Sequence, residues 1–433
     1  MGFGMATNLV KRSLVVTGFD VYPPTLTRFV AEGGSSAPTP RETVQGAKHV
    51  VFMVATAAQI LSALFDEETG AIHTLVPDAT LILCSTGPPE YTPNVRKLLD
   101  EKYARKDVKV VDAPVSGGTI RAADGTLTIL ASGPEDALAA ARPILDVMAG
   151  SNLYIIPGGL GAGTKVKMVH QVLAGIHLLM ASEAMGFAAA LGLDTKKVFE
   201  LVKASEGTSW MFENRTPHML VDDKRIYSAL NIIVKDIAIV TAGGRSAEFP
   251  LFLASTTEQV LASGVSAGYG LEDDAKLVKV YLPQNPSLVL TQASSAASSE
   301  IDAAKLKLIV QMMSAVHLVS TMEAMSLGAK VGLDAQQLFE IISTAAGTSW
   351  MFKDRAPQLL SGNWTSKKTV DDVIAELTES IEAANLLKYP LHLSGTAFQL
   401  LQLASLKGLG KQPDVAVSKL WEGPEGRLFR SKA

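Results

Sequence analysis

The chain has 433 residues, 47% of them apolar and 19% charged, with a net charge of −4. That length exceeds one ordinary domain, the composition is that of a soluble globular protein, and the charge gives no footprint for nucleic acid or an anionic membrane. The single cysteine, Cys84, excludes an internal disulfide framework and fits a reducing, cytoplasmic setting, and no basic-then-apolar leader opens the chain.

The opening residues, MGFGMATNLV, place Gly2 and Gly4 before a run (Met5, Ala6, Asn8, Leu9, Val10) that reads as an amphipathic helix. A β-branched strand, LVVTGFD (14–20), follows and ends on Asp20. Glycine, helix, strand and acid, in that order, form the second half of a dinucleotide-binding βαβ unit. An acid at that point accepts hydrogen bonds from the adenosine ribose and repels a 2′-phosphate, so Asp20 favours NAD over NADP. A turn aspartate is the plain alternative for that residue taken alone. Further strands are predicted at HVVFMV (49–54), TLILCS (80–85), VKVVDAP (108–114) and TLTILAS (126–132). Near-continuous apolar strands separated by helices predict a parallel sheet covered on both faces, an α/β Rossmann-type domain over residues 1–157.

Two turns after these strands carry candidate chemistry. Thr86, in CSTGPP, lies at a strand's carboxyl end, where open α/β sheets bind ligands; a turn threonine is the simpler reading. In DAPVSGGT (112–119), Gly117 and Gly118 allow backbone N–H groups to converge on an anion, and Ser116 adds a hydroxyl donor. A substrate carboxylate would suit that nest.

After PGGLGAG (157–163) the pattern becomes helical. Lys167 and Gln171, four residues apart, share one helical face. Oxidation of a secondary alcohol needs a base for the hydroxyl proton while hydride leaves the carbon. A lysine can serve if burial and a second cation lower its pKa toward neutrality, and Lys235, in IVKDIA, is the candidate second cation. The run VLAGIHLLMASEAMGFAAALGL (172–193) is long enough to span a membrane, but it carries His177, Ser182 and Glu183 and reads as a buried helix.

The helical region repeats at a constant offset of 140 residues: KVKMVHQ (165–171) returns as KLKLIVQ (305–311), and GTSWMFENRTP (207–217) as GTSWMFKDRAP (347–357). Roughly 23 of the 56 positions from 165 to 220 are identical to their counterparts, which marks a duplication. The predicted domains are therefore 1–157, a first helical copy at 158–288 and a second at 289–433, with PQNPSLVLTQASSAASSE (283–300) as the linker. The second copy keeps Lys307 and Gln311. Gly161, Gly163, His170 and Lys235 become Ile301, Ala303, Val310 and Ala375. It is therefore expected not to form an independent active site, but to act as an internal pseudo-dimer partner for the first copy.

Together, VSGGT(x6)GTLTILASG, GxGxxxKxxxQ and VKDIA resemble the β-hydroxyacid dehydrogenases, the group of the 3-hydroxyisobutyrate and 6-phosphogluconate dehydrogenases. HQVLAGIH (170–177) and GTSWMFENR (207–215) look most like the L-threonate dehydrogenase branch. The resemblance implies NAD-dependent oxidation of a small anionic hydroxy acid, without a metal. Lys167 would be the acid/base, and Ser116, Gly117, Gly118, Gln171 and Lys235 would bind substrate. Gly2, Asp20, Thr86 and Lys235 would lie on the cofactor side. Sugar-phosphate decarboxylating relatives carry a glutamate seven residues after the lysine; here that residue is Ala174, which argues against oxidative decarboxylation. Gly2 matches the last glycine of the family's G-x-G-x-x-G turn, so the expectation is that the opening strand and the earlier glycines lie upstream of Met1. The alternative is a pseudoenzyme that keeps the substrate site with an incomplete cofactor fingerprint. A monomer with an internal pseudo-dimer and a homodimer both remain open.

Overall fold

Side chains along strand β4 (Thr80–Leu83) and the residue after it point alternately to two cores, as a strand's period of two requires. Leu81 and Leu83 join Phe52, Ile60, Leu64, Val95 and Leu99, whereas Ile82 and Cys84 join Met5, Val111, Ile129, Leu145 and Met148. Every one of these is at most 7% exposed, so this central strand is apolar on both faces. The computed structural model describes residues 1–222, 224–294 and 301–423, in two compact units, Met1–Met168 and Val169–Ala433.

The first unit is α/β. Its strands are β1 (Thr17–Gly18), β2 (Ser35–Ser36), β3 (His49–Phe52), β4, β5 (Lys109–Asp112), β6 (Val115–Ser116), β7 (Thr128–Ala131) and β8 (Leu153–Ile155). Between them run α1 (Gly2–Lys11), α2 (Pro23–Ala31), α3 (Pro40–Thr43), α4 (Ala57–Phe65), α5 (Tyr91–Glu101), α6 (Gly118–Asp124) and α7 (Glu135–Ala149). In place of the single parallel sheet expected, the strands form three short sheets ordered β1-β2, β3-β4-β5 and β6-β7-β8. The first two are parallel, but β6 pairs antiparallel with β7. The reason is local: Pro114 interrupts β5, the chain turns back at Gly117–Gly118, and β7 returns alongside. Asp112 and Ser132 then exchange backbone hydrogen bonds of 3.0 and 2.8 Å in antiparallel fashion, joining the second and third sheets. The predicted strand at 14–20 shrinks to Thr17–Gly18, because Val15 is 98% exposed and Leu14 and Val16 find no second ladder.

The helix α8 (Ala162–Ala190) starts in the first unit and continues in the second. The second unit is helical and built twice. The first copy adds α9 (Thr195–Lys203), α10 (Trp210–Met219), α11 (Leu230–Ser246) and α12 (Phe252–Gly264). After α13 (Leu288–Ser294), the second copy comprises α14 (Ala303–Lys330), α15 (Ala335–Ser343), α16 (Trp350–Ser361), α17 (Val370–Leu387) and α18 (His392–Ala404). The expected linker thus contains a helix whose Val289 carbonyl accepts a 2.7 Å bond from Thr195; positions 295–300 of that segment lie outside the described residues.

The two copies meet through residues that face their own counterparts 140 positions away. The His177 and His317 rings lie 4.3 Å apart, the Thr256 and Thr396 hydroxyls are 2.9 Å apart, and Ser209 bridges Ser349. The bridge is reciprocal: Trp210 N–H donates to Thr348 O, and Trp350 N–H to Thr208 O, each at 3.0 Å. Glu183 accepts the N–H groups of Leu393 and Ser394 at the start of α18, while Glu323 accepts those of Leu253 and Ala254 in the first turn of α12. A carboxylate at a helix start satisfies amides that the helix leaves unpaired. Self-facing residues and exchanged pairs are the marks of a local two-fold axis. Among the described residues two helices, α8 and α14, are long and apolar enough to cross a membrane, yet their apolar windows are 100% and 89% buried within the fold.

Candidate active site

The carboxyl ends of the parallel strands carry the residues expected on the cofactor side. Asp20 follows β1, remains exposed, and accepts the Tyr22 N–H at 2.8 Å. It lies within electrostatic range of the Met1 amino group at the head of α1, where its charge opposes the lowering of that amine's pKa by burial. Structure thus brings Asp20 and the start of α1 together. At Gly2 a Cβ would come within 3.3 Å of the Met53 carbonyl, so the backbone at the head of α1 packs closely. An acid able to accept ribose hydroxyls and a close-packed glycine at a helix start fit a dinucleotide. Thr86 is half-buried just beyond β4. Its neighbour Ser85 ties that strand end to the end of β3, donating to Val54 O at 2.8 Å and accepting from Val54 N–H at 2.9 Å.

The Ser-Gly-Gly turn follows β6. Ser116 is buried, and Gly117 (φ +132°) and Gly118 (φ +72°) take backbone conformations that disfavour side chains. Space beside Gly118 is open, with no heavy atom within 4 Å of the point a Cβ would occupy, and α6 begins there without a side-chain cap.

The start of α8 is anchored on the same unit. Thr164 N–H donates to Asp112 Oδ2 at 2.8 Å and Thr164 Oγ1 to Asp112 Oδ1 at 2.6 Å; Gly163 N–H donates to Ser132 Oγ at 2.9 Å. Burial raises the Asp112 pKa to about 6, with these hydrogen bonds pulling the other way. A Cβ on Gly163 would come within 2.1 Å of Leu130 O, and one on Gly161 (φ +91°) within 2.6 Å of Pro89 O, so both positions demand glycine. Lys167 follows Thr164 by one turn and is 5% exposed.

In the second unit, Gln171 and Lys235 meet through a residue that sequence reasoning passed over. Asp236 accepts the Gln171 side-chain amide on Oδ2 and pairs with the Lys235 ammonium through Oδ1 at 2.9 Å. The expectation for Lys235 was a second cation; its charge is matched by its own chain neighbour. Asp236 stands inside the IVKDIA motif, and the signal that could have found it is the adjacency of an acid to a lysine on an otherwise apolar helix. His170 Nδ1 contacts Gln171 Oε1 at 2.8 Å. In the second copy, Lys307 pairs with Glu379 at 3.3 Å, Gln311 is buried, and both line a cavity of about 370 Å³ together with Lys368 and Glu376. Among the described residues, no group of three or more His, Cys, Asp or Glu is placed to hold a metal ion.

Comparison with known proteins gives matches over nearly the whole chain. Residues 1–158 match the NAD-binding domain of 6-phosphogluconate dehydrogenase. Residues 161–281 and, again, 302–421 match the family described as NAD-binding of NADP-dependent 3-hydroxyisobutyrate dehydrogenase. The chain is 36% identical over 281 residues to an L-threonate dehydrogenase of Cupriavidus necator, covering 65% of this chain and 93% of that one. A 3-hydroxyisobutyrate dehydrogenase from Salmonella typhimurium is similar in structure at 37% identity and a TM-score of 0.60, over 65% of this chain and 96% of its own. The fold of Plasmodium falciparum 6-phosphogluconate dehydrogenase, 14% identical, extends over 94% of this chain and 91% of its own with a TM-score of 0.64. The duplicated arrangement therefore has a counterpart fold among solved structures.

Proposed function

The chain belongs to the β-hydroxyacid dehydrogenase family, oxidoreductases acting on CH–OH groups, and from that premise we propose that it oxidises the secondary alcohol of an L-threonate-type hydroxy acid with Lys167 as acid/base. A 3-hydroxyisobutyrate-type acid, whose alcohol is primary and would leave as an aldehyde, is the next candidate. The observation that supports this most is the setting of Lys167: 5% exposed, one turn beyond a helix start held by Asp112 and Ser132. A base for a hydroxyl proton must be held rigidly enough to meet that hydroxyl, and this setting does so.

In this reading Ser116 and the Gly117–Gly118 turn hold the substrate carboxylate, with Gln171 and Lys235 binding the rest of the molecule. Asp20 takes the adenosine ribose, the head of α1 at Gly2 takes phosphate, and Thr86 lies toward the nicotinamide. NAD⁺, when bound, accepts the hydride lost from the alcohol carbon. Lys167 Nζ takes the hydroxyl proton, so the alcohol leaves as a ketone, having lost one hydride and one proton. Asp236 keeps the Lys235 ammonium and the Gln171 amide in one arrangement, so that substrate meets fixed partners. A cytoplasmic location belongs to the same proposal, as does a second helical copy serving in place of a partner subunit.

The test is NADH formation by the purified 433-residue chain with NAD⁺ and a panel containing L-threonate and 3-hydroxyisobutyrate. Turnover that disappears in Lys167→Met supports the reading. Absence of both turnover and NADH binding would favour a protein that binds substrate without oxidising it.

A further inference from the structure

Gly347, in the second copy, donates its backbone N–H to His170 Nε2 in the first at 3.0 Å. A backbone amide can only donate, so Nε2 is the bare, accepting nitrogen and the ring proton sits on Nδ1. Nδ1–H then donates to Gln171 Oε1 at 2.8 Å, which turns the Gln171 amide nitrogen toward Asp236, the partner of Lys235. With the proton on Nε2 instead, two donors would face each other at Gly347. Gln171 would then have to rotate its amide, setting its carbonyl oxygen against the Asp236 carboxylate. One proton on one imidazole thus decides the orientation of three groups, Gln171, Asp236 and Lys235.

The second copy supplies the contrast. Position 310 is valine, which has no proton to give, and the buried Gln311 Oε1 has no hydrogen-bond partner among the described residues. The glycine amides differ too. Gly207 N–H, the counterpart of Gly347, is taken up locally by Ser205 Oγ at 3.1 Å. Ser205 is replaced in the second copy by Ala345, so Gly347 N–H has no such local acceptor and reaches across to His170.

We propose that His170 is a positioning residue, held in its Nδ1–H tautomer by Gly347 of the second copy, which orients Gln171, Asp236 and Lys235 for substrate. The second copy acts on the substrate residues of the first through this contact. The proposal rests on the reading of Gln171 and Lys235 as substrate ligands, and its two tests separate the two ideas.

The first test is ¹⁵N-imidazole NMR of the full-length, histidine-labelled protein. The resonances lost in His170→Val should show a protonated Nδ1 and a bare Nε2; a protonated Nε2 overturns the proposal. The second is kinetic, with L-threonate as the probe. Ala345→Ser gives Gly347 N–H the local acceptor that Gly207 has. It should raise the L-threonate KM roughly 10-fold, the worth of about one hydrogen bond, while the NAD⁺ KM and the thermal midpoint stay near wild type. His170→Val should raise the L-threonate KM likewise, with a loss of stability because it strips Gly347 N–H and Gln171 Oε1 of their partner, and His170→Gln, which keeps one acceptor and one donor, should recover part of both. An unchanged L-threonate KM in both Ala345→Ser and His170→Val overturns the proposal. If the wild type does not oxidise L-threonate, the functional reading fails, and the imidazole spectrum alone decides the inference.

Discussion

Thr164 and Asp112, 52 positions apart, form a two-point contact: hydroxyl and backbone N–H of the threonine bind the two oxygens of one fully buried carboxylate. That contact joins the end of β5 to the first turn of α8, one turn before Lys167. Thr164→Val keeps the shape and the backbone donor but removes the hydroxyl. Chemical denaturation should show a loss of about 1–3 kcal/mol, the cost of a buried acceptor left short of a partner, and turnover should fall alongside.

Lys167→Met keeps the length and apolar stem of the side chain and removes its basic nitrogen. Turnover should drop by about 10²- to 10⁴-fold, the range for loss of a general base, with NADH affinity retained by fluorescence titration. Parallel loss of NADH binding would place the lysine on the cofactor side instead.

Asp20→Ser removes the charge that repels a 2′-phosphate. The ratio of kcat/KM for NAD⁺ over NADP⁺ should fall roughly 10-fold or more. A ratio that does not move would detach Asp20 from the ribose.

Glu323 makes stability depend on pH. Its carboxyl is fully buried, and burial raises its pKa from 4.5 to about 7 against the pull of backbone donors at Leu253 and Ala254. The folded state therefore holds this proton more tightly than the unfolded chain. The contribution is fully present below pH 4.5 and is lost as pH rises through about 7, by an amount on the order of 3 kcal/mol at most. Glu323→Gln, which stays neutral, should flatten that part of the melting-temperature profile between pH 5 and 8. A profile as steep as wild type would remove Glu323 as its cause.

A chain ending at residue 290 would lack the partner surface for His177 and for the Glu183 carboxylate, both wholly buried against the second copy. Sedimentation should show it dimerising or aggregating. A monodisperse, soluble monomer would mean that the exchanged contacts do not drive association.

Much of the architecture was legible because it follows from short-range periodicity. The strands at 49–52, 80–83, 109–112 and 128–131 and the helix from Gly2 fall where apolar runs and glycines predicted them. The direction of β7 was not legible, because a single turn at Gly117–Gly118 reverses the chain and no apolar pattern records direction. Glycines in G-x-G marked the entry to α8 correctly, but the residues that hold it, Asp112 and Ser132, lie far off in sequence. Asp236 and His170 were missed for the same reason: each gains its part from contacts 65 and 177 positions away. Lys235 was visible as a charge, and its neutralisation by the next residue was not.

The local two-fold axis has a consequence for how this protein can change. Where two identical chains meet on such an axis, every mutation arrives as a pair, and an alteration that helps one side must be tolerated by the other. Joining both halves in one chain of 433 residues lifts that obligation. Serine at 205 with alanine at 345, and histidine at 170 with valine at 310, are combinations that a pair of identical subunits could not reach. One half is then at liberty to specialise in chemistry and the other in support, each answering to its own selection.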